Sequence, residues 1–232
     1  MTIDRRTLLI AGAGAGALGL GGYSLLQGGK TPSPLLPVGM ANAQTEEAAA
    51  GDAPEIVDMV LGSDDAPITM YEYASFTCPH CATFHANVKP RLVEDYIDTG
   101  LVRFVYREVY FDRPGLWAGM VARCGGEMRY FGIVDLIYER QRQWVQGSPA
   151  EIVESLRAIG RTAGLSNDEL DACLTDADMA RAMLANYEAQ MDVHPIEGTP
   201  SVVLNDEVLG NMSYEDLAGH LDAALEEAQA DG

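Results

Sequence analysis

The stretch YEYASFTCPHCATFH, residues 71–85, carries two cysteines separated by a proline and a histidine. It overlaps the apolar, β-branched and aromatic run ITMYEY (68–73), which predicts a strand. After the first cysteine, apolar residues recur at the spacing of one helix face, at Cys81, Phe84, Val88, Leu92 and Tyr96. The cysteine pair is therefore predicted to open a helix directly after a strand ends.

The neighbouring segments extend this pattern. EIVDMV (55–60) predicts another strand, and LVRFVYREVYF (101–111) predicts the strand that follows the helix. Strand, helix and strand then form a β-α-β unit with a right-handed crossover. Pro90 should kink the helix, because proline lacks a backbone donor and crowds the preceding turn.

Helical patterns dominate from residue 116 to about residue 189. Capping boxes predict two helix starts in this part, one at Ser148 with Glu151 and one at Ser166 with Glu169. This part of the chain is therefore predicted to be all helical.

Strands resume near the carboxyl end. SVVLNDEVLG (201–210) holds two β-type runs around Asn205 and Asp206 and predicts a hairpin. SYEDLAGHLDAALEEA (213–228) predicts a final amphipathic helix.

Composition limits the class of protein. The chain has 232 residues, 47% of them hydrophobic, and a formal net charge of −20. This length fits one composite domain better than two independent enzyme domains. The charge argues against a nucleic-acid partner, because a phosphate-binding surface needs clustered Lys and Arg. We interpret the acidity as a solvated surface that keeps the protein soluble.

The amino terminus predicts an export signal over residues 1–43. Two adjacent arginines precede an uncharged Leu-, Ala- and Gly-rich stretch, and a small-x-small pattern favours cleavage after Ala43. The arginine pair resembles a twin-arginine signal. A retained membrane tether formed by residues 7–26 is the alternative, and residues 44–54 are interpreted as a linker. Both alternatives predict a periplasmic or other extracytoplasmic location, where disulfides persist.

Three kinds of chemistry compete for Cys78 and Cys81. A zinc site usually needs a second closely spaced pair of ligands, whereas the other cysteines, Cys124 and Cys173, lie 49 residues apart. A purely structural disulfide across so short a loop would constrain the unfolded chain very little. The predicted position between a strand and a helix favours redox exchange.

The helix start supplies a physical reason. Free backbone N–H groups and the helix dipole stabilise an anion, so Cys78 is predicted to be a thiolate near neutral pH and to act as the nucleophile. His80 is expected to add to this stabilisation, and Pro79 presets the backbone of the first turn. A substrate thiolate that attacks Cys78 would expel Cys81, which is expected to be shielded under the helix.

YEYASFTCPHC (71–81), together with EGTPSVVL (197–204), resembles the DsbA-like thiol:disulfide oxidoreductases, members of the thioredoxin superfamily. The resemblance covers about residues 55–227 and implies an α/β, thioredoxin-like fold with an inserted all-helical domain. The implied boundaries are 55–113 for the first part of the thioredoxin-like domain with the active site, 114–193 for the helical insertion and 194–232 for the second part.

The resemblance also implies roles for three further residues. Glu72 corresponds to an acidic group beneath the cysteines that helps to move the proton of Cys81; without the resemblance it could be a strand-edge carboxylate. Thr199 and Pro200 correspond to a cis-proline segment that docks an extended substrate through main-chain hydrogen bonds. Without the resemblance, a plain loop before a strand explains these two residues equally well.

The resulting prediction is an exported disulfide oxidase that acts on reduced, unfolded proteins. It is expected to be monomeric and to need no diffusible cofactor, because the dithiol itself carries the electrons. The resemblance implies re-oxidation by a quinone-linked membrane partner. Because Thr199 is also common before this proline in isomerases and reductases, such an enzyme is the alternative. A thiol module that handles copper or zinc is a third interpretation.

The remaining cysteines and histidines have other expected roles. In an oxidising compartment, the even cysteine count predicts a structural disulfide between Cys124 and Cys173, with two separate buried thiols as the alternative. The other histidines have no metal-type spacing and are interpreted as packing or surface residues: His85, His194 and His220.

Overall fold

The computed structural model describes residues 54–230. The predicted export signal, and the predicted linker except for its last residue, lie outside the described residues. Within the described part of the chain, no helix combines the length and the apolar character needed to cross a bilayer.

Five strands form one mixed sheet in the order β1–β3–β2–β4–β5. Their bounds are Met59–Leu61 (β1), Ile68–Ala74 (β2), Val102–Glu108 (β3), Ser201–Leu204 (β4) and Glu207–Leu209 (β5). Strand β2 runs parallel to β3 and antiparallel to β4, so Glu72 lies beside Tyr106 on one neighbour and Val202 on the other. The strand that leads into the cysteine pair is thus central and covered on both edges.

The crossover from β2 to β3 is helical, as predicted, but it is divided. Helix α1 spans Pro79–Asn87, helix α2 spans Lys89–Leu92, and a π-helical turn follows over Val93–Ile97. The expectation of one kinked helix is wrong: Pro90 lies in the first turn of α2, where its missing N–H is tolerated, and the break falls at Val88. The proline therefore starts a new helix instead of bending an old one.

Six helices lie between β3 and β4, and one follows β5. They are Arg113–Cys124 (α3), Gly126–Glu139 (α4), Gln141–Trp144 (α5), Pro149–Thr162 (α6), Asn167–Thr175 (α7), Ala177–Val193 (α8) and Tyr214–Ala230 (α9). Both predicted capping boxes are confirmed, because Ser148 and Ser166 each exchange hydrogen bonds with the glutamate three residues later. The fold class is confirmed: a thioredoxin-like sheet is interrupted by an all-helical insertion.

The strands predicted at the two ends of the fold are both present, but the first is shorter than predicted. The first predicted strand, 55–60, is reduced to the three residues of β1. The predicted hairpin is confirmed, and Asn205 and Asp206 have positive φ angles of 49° and 63°. A two-residue turn with both φ angles positive matches the twist of the flanking strands, and asparagine and aspartate tolerate it well.

A buried ion pair joins the insertion to the sheet. Glu108, at the end of β3, accepts a hydrogen bond of 2.7 Å from Arg123 Nε in α3 and one of 2.8 Å from the Tyr130 hydroxyl in α4. All three side chains have little or no exposure, so breaking the group would leave a buried charge without a partner. The first two helices of the insertion are therefore fixed to the strand after which the insertion begins.

A disulfide joins Cys124 at the end of α3 to Cys173 in α7. We expect the Cys124→Ala/Cys173→Ala double variant to lose about 4 kcal/mol of unfolding free energy, because a loop of ~50 residues is no longer closed in the unfolded chain. Urea unfolding followed by circular dichroism measures the loss. The Cys78→Ala/Cys81→Ala variant, which keeps the Cys124–Cys173 disulfide, is the control. A loss below about 1 kcal/mol in the Cys124→Ala/Cys173→Ala variant would contradict the prediction.

Candidate active site

Cys78 is the residue that directly precedes the first turn of α1. Its backbone is extended, with φ −77° and ψ 121°, and Pro79 occupies the first turn. Its N–H donates to Ser75 O at 3.0 Å, and its carbonyl accepts from Ala82 N at 3.3 Å. The sequence thus folds as predicted here: a buried strand ends, a short turn follows, and the nucleophile candidate stands where helical N–H groups are free.

The two sulfurs differ in access. Both cysteines are free thiols in this structure, with Cys78 partly buried and Cys81 fully buried on the inner face of α1. Pro79 and His80 are exposed between them. An incoming thiolate can therefore reach Cys78, whereas Cys81 can react only with Cys78.

The two thiols also differ in acidity. A hydrogen bond from the Cys81 thiol is the main cause that lowers the pKa of Cys78 to about 5, against the opposing effect of burial. The Thr199 hydroxyl and the backbone N–H groups of Cys81 and His80 add to the lowering. Burial raises the pKa of Cys81, assisted by the hydrogen bond to Cys78 and the negative charge of Glu72. One sulfur is thus a thiolate and the other a protonated thiol over a wide pH range.

His80 was expected to stabilise the Cys78 thiolate through its ring, but its contribution comes from its backbone. The small part that His80 has in lowering the pKa of Cys78 comes from its backbone N–H, whereas its exposed imidazole makes no hydrogen bond to any of residues 54–230. This follows from helix geometry, because a side chain at the second helical position points away from the axis along which the free N–H groups point.

Strand β4 brings the predicted docking segment to the cysteines. The peptide bond between Thr199 and Pro200 is cis, and Thr199 O is 3.3 Å from Cys78 Sγ. A cavity of about 500 Å³ runs beside this segment toward β5. Its lining includes Glu197, Gly198, Thr199, Pro200, Ser201 and Val208. The arrangement leaves an extended backbone segment open next to the reactive sulfur, which suits main-chain pairing with a peptide.

Glu72 is fully buried in the centre of β2. Its Oε2 is 3.2 Å from Nε2 of His85, which lies in α1 one turn after Cys81. The sequence interpretation treated His85 as a packing or surface residue and missed this pairing. A usable signal was present, because residues four apart share a helix face and Cys81 was already predicted to point inward.

Gln141 is a second residue that the sequence analysis did not single out. It is buried at the start of α5, and its Nε2 donates 2.8 Å hydrogen bonds to Phe76 O and to Cys78 O. A second link runs from the Thr77 hydroxyl to Asp112 Oδ2, at 2.8 Å, and Asp112 also caps α3. The insertion therefore holds the turn that carries the nucleophile at two points.

We expect Gln141→Leu to lower the unfolding free energy by about 1–3 kcal/mol, because it leaves the buried Phe76 carbonyl without a donor. Chemical unfolding measures the loss. Gln143→Leu is the matched control, since Gln143 lies in the same helix but is exposed. Equal losses in both variants would show that the two hydrogen bonds contribute nothing of their own.

Comparison with known proteins gives the family. A family model described as Thioredoxin matches residues 55–223. The crystal structure of Wolbachia pipientis alpha-DsbA1 superposes with a TM-score of 0.70 at 25% identity, covering 77% of this chain and 96% of the other. A Rickettsia prowazekii protein, provisionally named a protein-disulfide oxidoreductase, is 31% identical over 203 residues, which are 80% of this chain and 74% of the relative. The chain belongs to the DsbA-like thioredoxin family.

Two further relatives of this DsbA-like chain also have names that refer to disulfide chemistry. The Bacillus subtilis disulfide bond formation protein D is 25% identical over 194 residues, covering 78% of this chain and 83% of the relative. A Rickettsia bellii protein with the same provisional name as the R. prowazekii relative is 34% identical, and the chain spans 66% of its length. The family predicted from the two motifs is confirmed.

Proposed function

We propose that this chain is an exported thiol:disulfide oxidase that introduces disulfides into reduced, unfolded extracytoplasmic proteins. The observation that carries the proposal is the pairing of an accessible, acidic Cys78 with a buried, weakly acidic Cys81 at one helix start. A stable Cys78 thiolate leaves readily, so the disulfide form of the pair gains oxidising power. The names of the Rickettsia and Bacillus relatives support the same chemistry.

The reaction is a two-step exchange. A substrate thiolate attacks Cys78 Sγ of the oxidised pair, a mixed disulfide forms, and Cys81 leaves as a thiolate that takes up a proton. A second substrate thiolate then attacks the substrate sulfur, Cys78 leaves as a thiolate, and the substrate keeps the disulfide. The segment at Thr199 and Pro200 would hold the substrate backbone during both steps. A quinone-linked membrane partner would re-oxidise the dithiol, and the protein would act as a monomer.

Equilibration with glutathione tests the direction of electron flow. The reduction potential of thioredoxin is about −270 mV, and we expect that of the Cys78–Cys81 pair to be well above this value. We also expect the pair to be oxidised when the protein is isolated from the exporting cell. The oxidised protein should also restore activity to reduced, unfolded ribonuclease. A potential close to that of thioredoxin and a reduced pair in the cell would instead establish the isomerase or reductase alternative.

The metal-handling alternative has its own test. Zinc or copper bound stoichiometrically by wild type but not by Cys78→Ser, with no acceleration of substrate oxidation, would replace the proposed function. Export is tested separately: the protein recovered outside the cytoplasm should begin at Gln44 if cleavage follows Ala43.

A further inference from the structure

His85 lies between a buried carboxylate and a solvent-facing one. Its Nε2 is 3.2 Å from Glu72 Oε2, and its Nδ1 is 3.7 Å from Asp135 Oδ1. The side chains of Glu72 and His85 are 0% and 2% exposed, whereas that of Asp135 is 55% exposed. The two ring nitrogens therefore face opposite ends of one route from the protein interior to the surface.

A cavity opens at the outer end of this route. It has a volume of about 600 Å³ and is lined by Ala82, His85, Ala86, Lys89, Asp135 and Tyr138, among others. Nδ1 of His85 is buried and has no hydrogen-bond partner within residues 54–230. A cavity of this size beside several polar groups has room for water, which could exchange protons with Nδ1.

Charged groups around His85 favour the imidazolium. Burial disfavours the charged ring, but the negative charge of Glu72, the nearby Asp135 carboxylate and the hydrogen bond to Glu72 outweigh it and raise the pKa of His85. Lys89 opposes this effect and is held by Asp135 Oδ1 at 2.5 Å. The titratable groups that face the ring are Glu72 from β2, Tyr106 from β3, Lys89 from α2, and Asp135 and Tyr138 from α4.

Cys81 has a proton to exchange and no access of its own. Its thiol is fully buried, and its acidity responds to the charge of Glu72. When Cys81 attacks Cys78 it must lose a proton, and when it is expelled from the disulfide it must gain one. An imidazole can accept a proton at one nitrogen and release one from the other, which makes it suited to carry protons past a buried group.

We propose that His85 transfers the proton of Cys81 between Glu72 and the cavity at Asp135, and thereby controls the rate of the Cys81 step. His85 acts through Glu72 and is thus a positioning residue for the reaction, without contact with the substrate. The inference rests on the proposed thiol–disulfide exchange at Cys78 and Cys81, and it adds the route by which the buried sulfur gains and loses its proton.

The proton balance can be followed with glutathione disulfide. The Cys78 thiolate attacks one glutathione sulfur, the Cys78–glutathione disulfide forms, and a glutathione thiolate leaves. Cys81 then gives its proton to Glu72, attacks Cys78 Sγ and expels the second glutathione thiolate, while His85 passes a proton to the cavity. The protein loses two electrons and glutathione disulfide gains them, so no further oxidant is needed.

The experiment separates these two steps by stopped flow with the reduced, folded protein. The first step depends on the glutathione disulfide concentration, and the second does not. In His85→Gln we expect the second step to slow about tenfold or more near neutral pH and to become steeper with pH, while the first step stays within about twofold. The rate of the second step should also show a solvent deuterium isotope effect in wild type, and the size of this effect should differ in His85→Gln.

Chemical rescue distinguishes proton transfer from packing. In His85→Ala, added imidazole should enter through the cavity and restore the second step in a saturable manner. Pyrazole is the matched control, because it has the same size and shape but is too weakly basic to carry the proton. Rescue by imidazole alone supports the inference; equal rescue by both compounds would overturn it and reduce His85 to a space-filling role.

Asp135→Asn gives a second, independent variant that keeps the histidine, and it serves if the His85 variants do not fold. It should slow the second step and alter its pH profile, because the outer end of the route loses its carboxylate. If the rate of the second step is unchanged in His85→Gln, the inference is overturned. If the His85 variants do not fold, an unchanged rate of the second step in Asp135→Asn overturns it. A wild type that does not react with glutathione disulfide would instead refute the proposed function.

Discussion

Cys78→Ser is expected to reduce the oxidation of a reduced protein substrate to the rate without enzyme. The hydroxyl of serine has a pKa far above that of a thiol and cannot form a disulfide, so neither the mixed disulfide nor the redox couple exists. The rate at which thiols disappear from reduced, unfolded ribonuclease measures the effect. Residual oxidation above the background would contradict Cys78 as the nucleophile.

Cys81→Ser is the matched control for this prediction. Cys78 remains accessible in this variant, and the serine hydroxyl can donate a hydrogen bond to it in place of the Cys81 thiol, but no second thiol can release a bound partner. We expect the Cys78 thiol to form stable mixed disulfides with glutathione or with a substrate cysteine, visible as added mass on the folded protein. If Cys81→Ser turned over substrate as wild type does, the division of roles between the two sulfurs would be wrong.

The second prediction with a large expected effect concerns the acidity of the Cys78 thiol. We expect the alkylation rate of Cys78 to titrate near pH 5, as its lowered pKa requires. At about pH 6 some nine-tenths of Cys78 should be thiolate, about a thousand times the fraction in an ordinary thiol of pKa about 9. Iodoacetamide labelling of the reduced protein from acid to neutral pH measures the profile.

The Cys81→Ala variant tests the cause of that acidity. The Cys81 thiol is the main donor that lowers the pKa of Cys78, so removing it should move the titration toward the ordinary thiol value of 9. A titration of Cys78 that is unchanged in Cys81→Ala would assign the acidity to the Thr199 side chain and the helix N–H groups instead.

The same pKa makes the stability of the reduced protein depend on pH. A folded-state pKa of about 5 lies below the unfolded value, so the thiolate stabilises the reduced fold fully above about pH 9 and this contribution is lost as the pH falls toward 5. The oxidised protein has no titrating thiol at this position. The unfolding temperature of the reduced form, relative to that of the oxidised form, should therefore fall as the pH is lowered from 9 to 5.

Local signals made much of the fold predictable. The position of Cys78 at a helix start follows from the strand pattern before it and from Pro79 after it, and both act within a few residues. The hairpin at Asn205 and Asp206 follows from residues that tolerate positive φ angles. The division of the helix at Val88 was not predicted, because a proline pattern alone does not distinguish a kink from a new helix start.

The parts of the site that were missed are contacts between distant segments. Gln141 reaches carbonyls 65 and 63 residues earlier in the chain, and His85 meets Asp135 from another helix. One sequence gives the residue type at each position but not which distant positions share a space. Glu72 was placed near the cysteines only because the motif resembles a family in which an acidic residue lies there.

The two hydrogen bonds from Gln141 hold one side of the active site in a fixed position. Because α5 and the nucleophile turn are linked through one amide, a client protein cannot push the insertion aside without also moving the reactive sulfur. If the protein acts on substrates of different shapes, as proposed, any adjustment to them is expected on the opposite wall, where the Thr199 segment and β5 border an open groove. On the proposed function, substitutions that change substrate choice are therefore expected along this groove and not at Gln141.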